Sequence, residues 1–374
     1  MQQVVATAHV SARATDAAAQ LAAALGPGPF AVVLMFVSPD ADLAGFLAQA
    51  ARCFSAPLIG CTTAGEISSQ GYTEGEIVAV GMPAAHFAAD ILLVPDLNAI
   101  DRQDLIGRLI RARQGLARAR GNWENEFAFL MVDGLSTRED ELTSALALGL
   151  GPVPLFGGSA ADGTRFRETF VLHGGKALRN AAVLTMLRSD CRAKVFNLDH
   201  LVPTDRRMVV TEANPATRSV RQINAEPAAR EYARLLGKDP AQLTTFTFAA
   251  HPVVVRIGGK HHVRAIQQVA ENGDLVFFSA IDEGLVLTLA EPLDIAIHLD
   301  TALKGLCVGG EPAAILACDC ILRRLEALEK QKHGAISQIL RDRHVVGFST
   351  YGEQLNSMHV NQTMTGVAIY PPGV

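Results

Sequence analysis

The feature that most constrains this chain is an internal repeat. A short apolar run opening at Phe30 leads into a helical pattern from about Asp42 to Phe54 and then into Pro57-Leu58-Ile59-Gly60. The same order returns from Phe127 through a second helical pattern to Pro154-Leu155-Phe156-Gly157, with the same spacing from the opening Phe to the Pro. Ser136 and Glu139 stand at capping-box spacing where that second helix is expected to begin. A third copy runs from Ala313 to Cys318, through a helix from Ile321 to about Leu340, to Val345-Val346-Gly347. Apolar runs of this length suit buried strands. A strand, a helix of three turns or more and a second strand make one βαβ-like unit. The expected fold class is therefore α/β to α+β, with two domains of mixed sheets and flanking helices, built partly from repeated strand–helix–strand units.

The residues after each glycine also match. The copies read Cys61-Thr62-Thr63-Ala64-Gly65-Glu66, then Gly158-Ser159-Ala160-Ala161-Asp162-Gly163, then Phe348-Ser349-Thr350-Tyr351-Gly352-Glu353. A glycine followed two residues later by Ser or Thr occurs in all three, and Gly-Glu closes two of them. Small residues permit close backbone approach and unusual φ values. Two readings stay open: three tight turns, or one composite ligand pocket walled by three similar loops. The pocket reading draws its ligand-binding residues from Gly60, Cys61, Thr62, Thr63, Gly65 and Glu66 in the first loop. The second loop supplies Gly157, Gly158, Ser159 and Asp162. The third supplies Ser349, Tyr351, Gly352 and Glu353, with Asn361 and Gln362 just beyond it. Thr62, Ser159, Glu66, Asp162, Glu353, Asn361 and Gln362 bring the donors and acceptors.

Composition removes several function classes. Hydrophobic residues make up 49% and charged residues 19%, which describes a compact protein and not a disordered one. A net charge of -5 argues against nucleic acid as a partner. The strongest apolar run, Phe30 to Val37, is far shorter than the ~20 residues of a spanning helix, and no secretory signal is visible at the N-terminus. No C-x-x-C pair occurs among Cys53, Cys61, Cys191, Cys307, Cys318 and Cys320, so reduced thiols and a cytoplasmic location are expected. The arginines of the amphipathic pattern from Ile100 to Arg120 read as a solvated helix face. The character of the chain shifts near residue 200, dividing it into domains 1–200 and 201–374. In the second, strands flank Asn214-Pro215, a helix follows Glu226-Pro227, and 247–255, 262–269 and 275–281 read as an antiparallel meander.

The sequence carries little catalytic signal. Neither a G-x-G-x-x-G nor an H-E-x-x-H motif is present. Gly157-Gly158-Ser159-Ala160-Ala161 lacks only the last glycine of a hydrolase nucleophile elbow. The equivalent positions are Thr62 and Ser349, however, and three hydroxyls in equivalent loops suit hydrogen bonding better than one nucleophile. The chain is read as a non-enzyme, with a serine hydrolase the less favoured alternative. Among the histidines, His251 lies in the apolar stretch Phe248 to Val255, and His359 is next to the third loop. Each is either a buried, hydrogen-bonded imidazole or a candidate haem-iron ligand, His251 before His359.

Taken together the motifs resemble the FIST sensory proteins, built from a FIST N and a FIST C domain. The matching stretches are Gly60 to Glu66 with Gly71-Tyr72, Asp133-Gly134-Leu135-Ser136, Gly157 to Asp162, Val210-Thr211, Ile223 to Ala228, Val263-Arg264, Asp282-Glu283-Gly284, Val346 to Glu353 and Asn361-Gln362-Thr363. One departure is Ala225-Glu226, where a glycine is expected before Pro227-Ala228. The resemblance implies a bacterial signal-input module for a small ligand, with amino acids suggested for the family. It further implies a stand-alone sensor acting on a separate protein, since the chain leaves no room for an attached output domain. Stand-alone members resemble nitric-oxide-sensing haemoproteins that regulate a histidine kinase or a cyclic-di-GMP enzyme. Haem b, nitric oxide and such a partner are thus one expectation, and a small polar metabolite such as an amino acid is the other.

Overall fold

The computed structural model describes residues 4–257 and 259–373. The three expected units are present, each at the centre of a six-stranded sheet. The first sheet orders Ala6–Ser11, Glu76–Pro83, Phe30–Val37, Leu58–Thr62, Val171–His173 and Lys176–Leu178. The second orders Phe87–Val94, Ala182–Ser189, Asn125–Val132, Leu155–Ser159, Glu353–Leu355 and Met358–Val360. The third orders Ala193–Leu198, Met364–Ile369, Ala314–Cys320, Val345–Thr350, Glu66–Ser68 and Gly71–Thr73. Each sheet has one parallel pair at its centre. Helix Leu43–Cys53 joins the first pair and Glu139–Leu150 the second, while Ile321–Glu329 and His333–Asp342 join the third. The third crossover is thus two helices, broken at residues 330–332, where one was expected.

These central strands read as apolar runs without alternation because both faces are covered. Phe30–Val37 and Asn125–Val132 are buried from their third residue onward. One face of the sheets meets in a shared core where Phe36 stacks on Phe348 at 4.6 Å and meets Phe129 edge-on at 6.3 Å. The repeated glycines lie within strands and not in turns. A Cβ on Gly60 would stand 2.1 Å from the Met35 carbonyl oxygen, on Gly157 2.2 Å from that of Leu130, and on Gly347 1.8 Å from that of Ala317. In each case that oxygen belongs to the register partner on the parallel neighbour. Close backbone approach, not a turn, is what demands glycine there.

The hairpin that follows each unit leaves its own sheet. The hairpin of Glu66–Ser68 and Gly71–Thr73, which follows the first unit, completes the third sheet. The hairpin Val171–His173 and Lys176–Leu178, which follows the second, completes the first sheet. The hairpin Glu353–Leu355 and Met358–Val360, which follows the third, completes the second sheet. The exchange is cyclic and ties the three sheets into one body. The third sheet thereby takes strands from both sides of residue 200.

A fourth sheet is inserted ahead of the third unit, between Ala193–Leu198 and helix Ile295–Leu306. It begins with the long strand Leu201–Asn214 and ends with Val286–Pro292. Here the expectation of a simple meander is corrected. Residues Thr245–Ala250 form a helix, because Thr244 and Thr247 make a reciprocal capping box, and the strand starts only at Val253. That strand, Val253–Ile257, pairs with Lys260–Val263 and Val286–Pro292, whereas Leu275–Phe277 pairs with Ile266–Val269 and Ser219–Ile223. The capping box expected at Ser136 does not form. The helix begins at Glu139 without a side-chain cap, and the Ser136 hydroxyl accepts from the Arg138 amide instead.

Candidate functional site

Because the same unit is packed three times, its loops emerge at the same strand end and meet. The Ala64 amide donates to the Ser349 carbonyl at 2.9 Å and the Ser349 amide to the Gly65 carbonyl at 2.7 Å. The amides of Ala161 and Gly163 donate to the carbonyls of Thr62 and Thr63 at 2.9 and 3.1 Å, and that of Ser159 to Gly352 at 2.8 Å. The repeated hydroxyls fasten this junction. Thr62 Oγ1 accepts from the Phe170 amide at 3.0 Å, Ser159 Oγ from Gln354 Nε2 at 2.9 Å, and Ser349 Oγ from the Arg324 guanidinium at 3.4 Å. Gln354 lies in a hairpin brought in from the next unit and Phe170 directly precedes another, so two of the hydroxyls hold exchanged hairpins at their start.

The two Gly-Glu pairs have one shared task. Glu66 accepts from the amide of Glu76 at 3.1 Å, and Glu353 from the amide of Thr363 at 3.2 Å; Glu76 opens the strand that follows the first hairpin, and Thr363 directly precedes the strand that follows the other. Thr63 donates to the other oxygen of Glu66, whereas Glu353 Oε1 has no hydrogen-bond partner among the described residues. Burial pushes the Glu66 carboxyl up to about 7 and the Glu353 carboxyl well above its ordinary value.

The accessible part of the junction is a cleft of two adjoining cavities. One, of about 230 Å³, is walled by Ser38–Asp40, by Thr63, Ala64 and Gly65, by Gly163, Thr164 and Arg165, and by the helix side chains Ile321, Arg324, Leu325 and Leu328. The other, of about 350 Å³, shares Ser38, Pro39 and Arg165 and adds Thr62, Asp162, Arg167 and Phe170. An ion pair between Arg165 and Asp40 at 2.5 Å stands where the cavities adjoin. Arg324 is 3% exposed. It donates to the Thr73 carbonyl at 2.8 Å and to Glu74 at 3.3 Å, and its guanidinium lies 4.8 Å over the Tyr72 ring. Its Nε–H is buried and has no hydrogen-bond partner among the described residues. Gly65, at φ +117, leaves room for this cation, since a Cβ there would come within 2.5 Å of the guanidinium.

Among the residues expected from sequence, Thr62, Thr63, Gly65 and Asp162 line the cleft. Gly60, Cys61, Gly157 and Gly158 lie in strands of the core. Ser349, Tyr351, Gly352, Glu353, Asn361 and Gln362 are fully buried beneath it. Tyr351 closes that side, with its hydroxyl bonded to Asp162 and the Gly163 carbonyl and its ring 4.6 Å from Phe166. Asp40, Arg165 and Arg324 were not singled out from sequence. A signal for Arg324 does exist: it lies three residues after Ile321 and four before Leu328, which sets it on an apolar side of its helix.

His251 leaves the strand expected for it, whereas His359 is the buried imidazole beside the third loop that one of the two readings describes. His251 is the C-terminal cap of helix Thr245–Ala250, half-buried. Burial lowers its pKa, and the cations Lys238, Arg206 and Lys330 lower it further against Glu291. A ring among charges does not fit the apolar pocket that a haem requires. The strand Leu275–Phe277 pairs with Ile266–Val269 and Ser219–Ile223 and not with Val253–Ile257. His359 is buried within 3.3 Å of Gln354 Nε2, and a Cβ added to Gly352 would come within 2.2 Å of its ring, so no porphyrin fits against it. Neither imidazole therefore fits haem. The partner of Ser159 Oγ is Gln354 Nε2.

Comparison with known proteins agrees with the motif reading. Residues 31–226 match the FIST N domain and residues 228–356 the FIST C domain. An uncharacterized protein of Methanocaldococcus jannaschii is 24% identical over 253 residues, which is 62% of this chain and 48% of that protein. The chain thus spans about half the length of that relative. FIST domains are signal-transduction sensor domains. With matches running from the first repeated strand into the third loop, this chain belongs to the FIST family.

Proposed function

We propose that this protein is a signal-input module that binds a small polar metabolite with an anionic group, an amino acid being the simplest case, in the cleft between the first and second loops. The observation that carries this reading is Arg324: a buried guanidinium at the wall of a cavity, with one N–H unpaired among the described residues. A buried cation at a cavity wall favours an anionic occupant, and a carboxylate there would complement its charge. Arg165 offers a second cation, while Asp40, Glu74 and Ser38 offer acceptors for an ammonium group. The cleft is built from loops of two units and a helix of the third, so a ligand that draws them together would change the packing of all three sheets. A separate histidine kinase or cyclic-di-GMP enzyme could read such a change, and a partner of this kind is part of the proposal.

The test is a thermal-shift screen of amino acids and small carboxylates. A ligand at 100 times its Kd should stabilise the protein by about 2.7 kcal/mol. The same ligand should bind Arg165→Ala at least about tenfold more weakly, the loss of roughly 1.4 kcal/mol expected for a charge-assisted hydrogen bond. A ligand that binds both proteins equally well would place its site elsewhere.

A further inference from the structure

At the opposite end of the sheets, away from the loops, two turns lie side by side. One follows Glu76–Pro83 and carries His86; the other follows Ala182–Ser189 and carries Asp190 and Cys191. Antiparallel pairing of Ser189 with Phe87 sets their positions. The Ser189 hydroxyl locks them together, donating to the His86 carbonyl at 2.7 Å and accepting from the Cys191 amide at 3.0 Å. We infer that His86, Asp190 and Cys191 form a binding site for a divalent transition ion of the zinc type, distinct from the metabolite cleft and independent of it.

Geometry and donor chemistry carry this inference. His86 Nδ1 stands 3.1 Å from Asp190 Oδ1 and Cys191 Sγ 3.5 Å from the same oxygen, and all three ligand atoms lie within 4.8 Å of one another. Zinc bonds of about 2.0–2.3 Å at tetrahedral angles separate such ligands by about 3.4–3.6 Å. The nitrogen–oxygen and sulfur–oxygen edges are therefore already near their bound lengths, and only small side-chain rotations are needed to close the triangle. A His–Asp ion pair alone would not call for a thiol aimed at the same carboxylate oxygen. The set of thiolate, imidazole and carboxylate selects zinc and its neighbours over magnesium or calcium. His86 and Asp190 are 18% and 32% exposed, which leaves a path from solvent, with buried Cys191 as the floor. Three protein ligands leave the fourth position to water, and binding releases the thiol proton to solvent.

The experiment uses the full chain, stripped with chelator and titrated without oxygen with Co²⁺ as the probe for zinc. One equivalent should raise a thiolate-to-cobalt charge-transfer band and the intense visible bands of tetrahedral cobalt, and Zn²⁺ should abolish both. The charge-transfer band should vanish in Cys191→Ser. Asp190→Asn and His86→Ala, both at partly exposed positions, should weaken binding by at least about 10- to 100-fold, the effect of losing even an outer partner of a metal ligand. Circular dichroism would confirm that each variant is folded. A wild type that gives no charge-transfer band, a band unchanged in Cys191→Ser, or full affinity in folded Asp190→Asn and His86→Ala would overturn the site.

Discussion

The first and third loops begin from nearly the same residues and end in different roles. Both follow a glycine pressed against the neighbouring strand, both carry a hydroxyl two residues later, and both close on Gly-Glu. Both glutamates hold the amide of the residue ten positions on. The first loop, however, faces a cleft with Arg324 at its wall, whereas Tyr351 and His359 enclose the third. The difference teaches that the shared motif is architecture. It secures the exchanged hairpins and the strand start beyond them, and specificity comes from what each loop meets, which the repeat does not encode.

If the glycines serve architecture in both copies, removing either should damage the fold equally. Gly60→Ala and Gly347→Ala should each lose more than about 3 kcal/mol in urea unfolding, because a Cβ would meet a carbonyl oxygen that the parallel pairing holds in place. A copy that tolerates alanine would break the equivalence.

The glutamates should extend that likeness to pH dependence. A buried carboxyl with a raised pKa favours folding while it is protonated. Its stabilisation is complete below the ordinary value near 4.5 and is lost as pH rises through the folded value. For Glu66 the loss falls between 4.5 and about 7 and amounts to about 3 kcal/mol. Glu66→Gln should flatten that part of the stability–pH curve. The amide can still accept from the Glu76 amide and donate to Thr63. Glu353 shifts in the same direction through burial, so Glu353→Gln should flatten the curve as well. Unfolding midpoints at pH 5 and pH 8 decide it.

The tie between the enclosed loop and the second loop is smaller. Tyr351→Phe removes a hydroxyl that bonds Asp162 and the Gly163 carbonyl, and should cost about 1–2 kcal/mol. Smallest is Arg165→Ala, which breaks only a partly exposed ion pair with Asp40 and should change stability by less than about 0.5 kcal/mol. That small cost makes it a clean probe of ligand binding.

Much of the fold was legible in the chain. The three units begin at the expected apolar runs because strands buried on both faces write themselves as unbroken hydrophobic stretches. The hairpin exchange was not legible, since nothing local in Glu66–Thr73 says which sheet edge it joins; that depends on how the units pack. The helix at Thr245–Ala250 was missed because Phe246, Thr247 and Phe248 carry strand preferences that the Thr244–Thr247 capping box overrides. The strand expected there had made His251 look like a core residue. In the site, Thr62, Thr63, Gly65 and Asp162 could be read from the repeat. Arg165 could not, because it gains its meaning from Asp40 of another unit, and Arg324 was signalled only by its place among the apolar residues of its helix.

Hydrogen exchange of the full chain with and without a saturating ligand from the screen tests the central claim most directly. Binding in the cleft predicts slowed exchange at the amides of residues 63–65, 163–165 and 321–328, with little change at 353–362. Protection concentrated at 353–362, with the first loop and the helix at 321–328 unaffected, would contradict it and move the ligand site to the enclosed third loop.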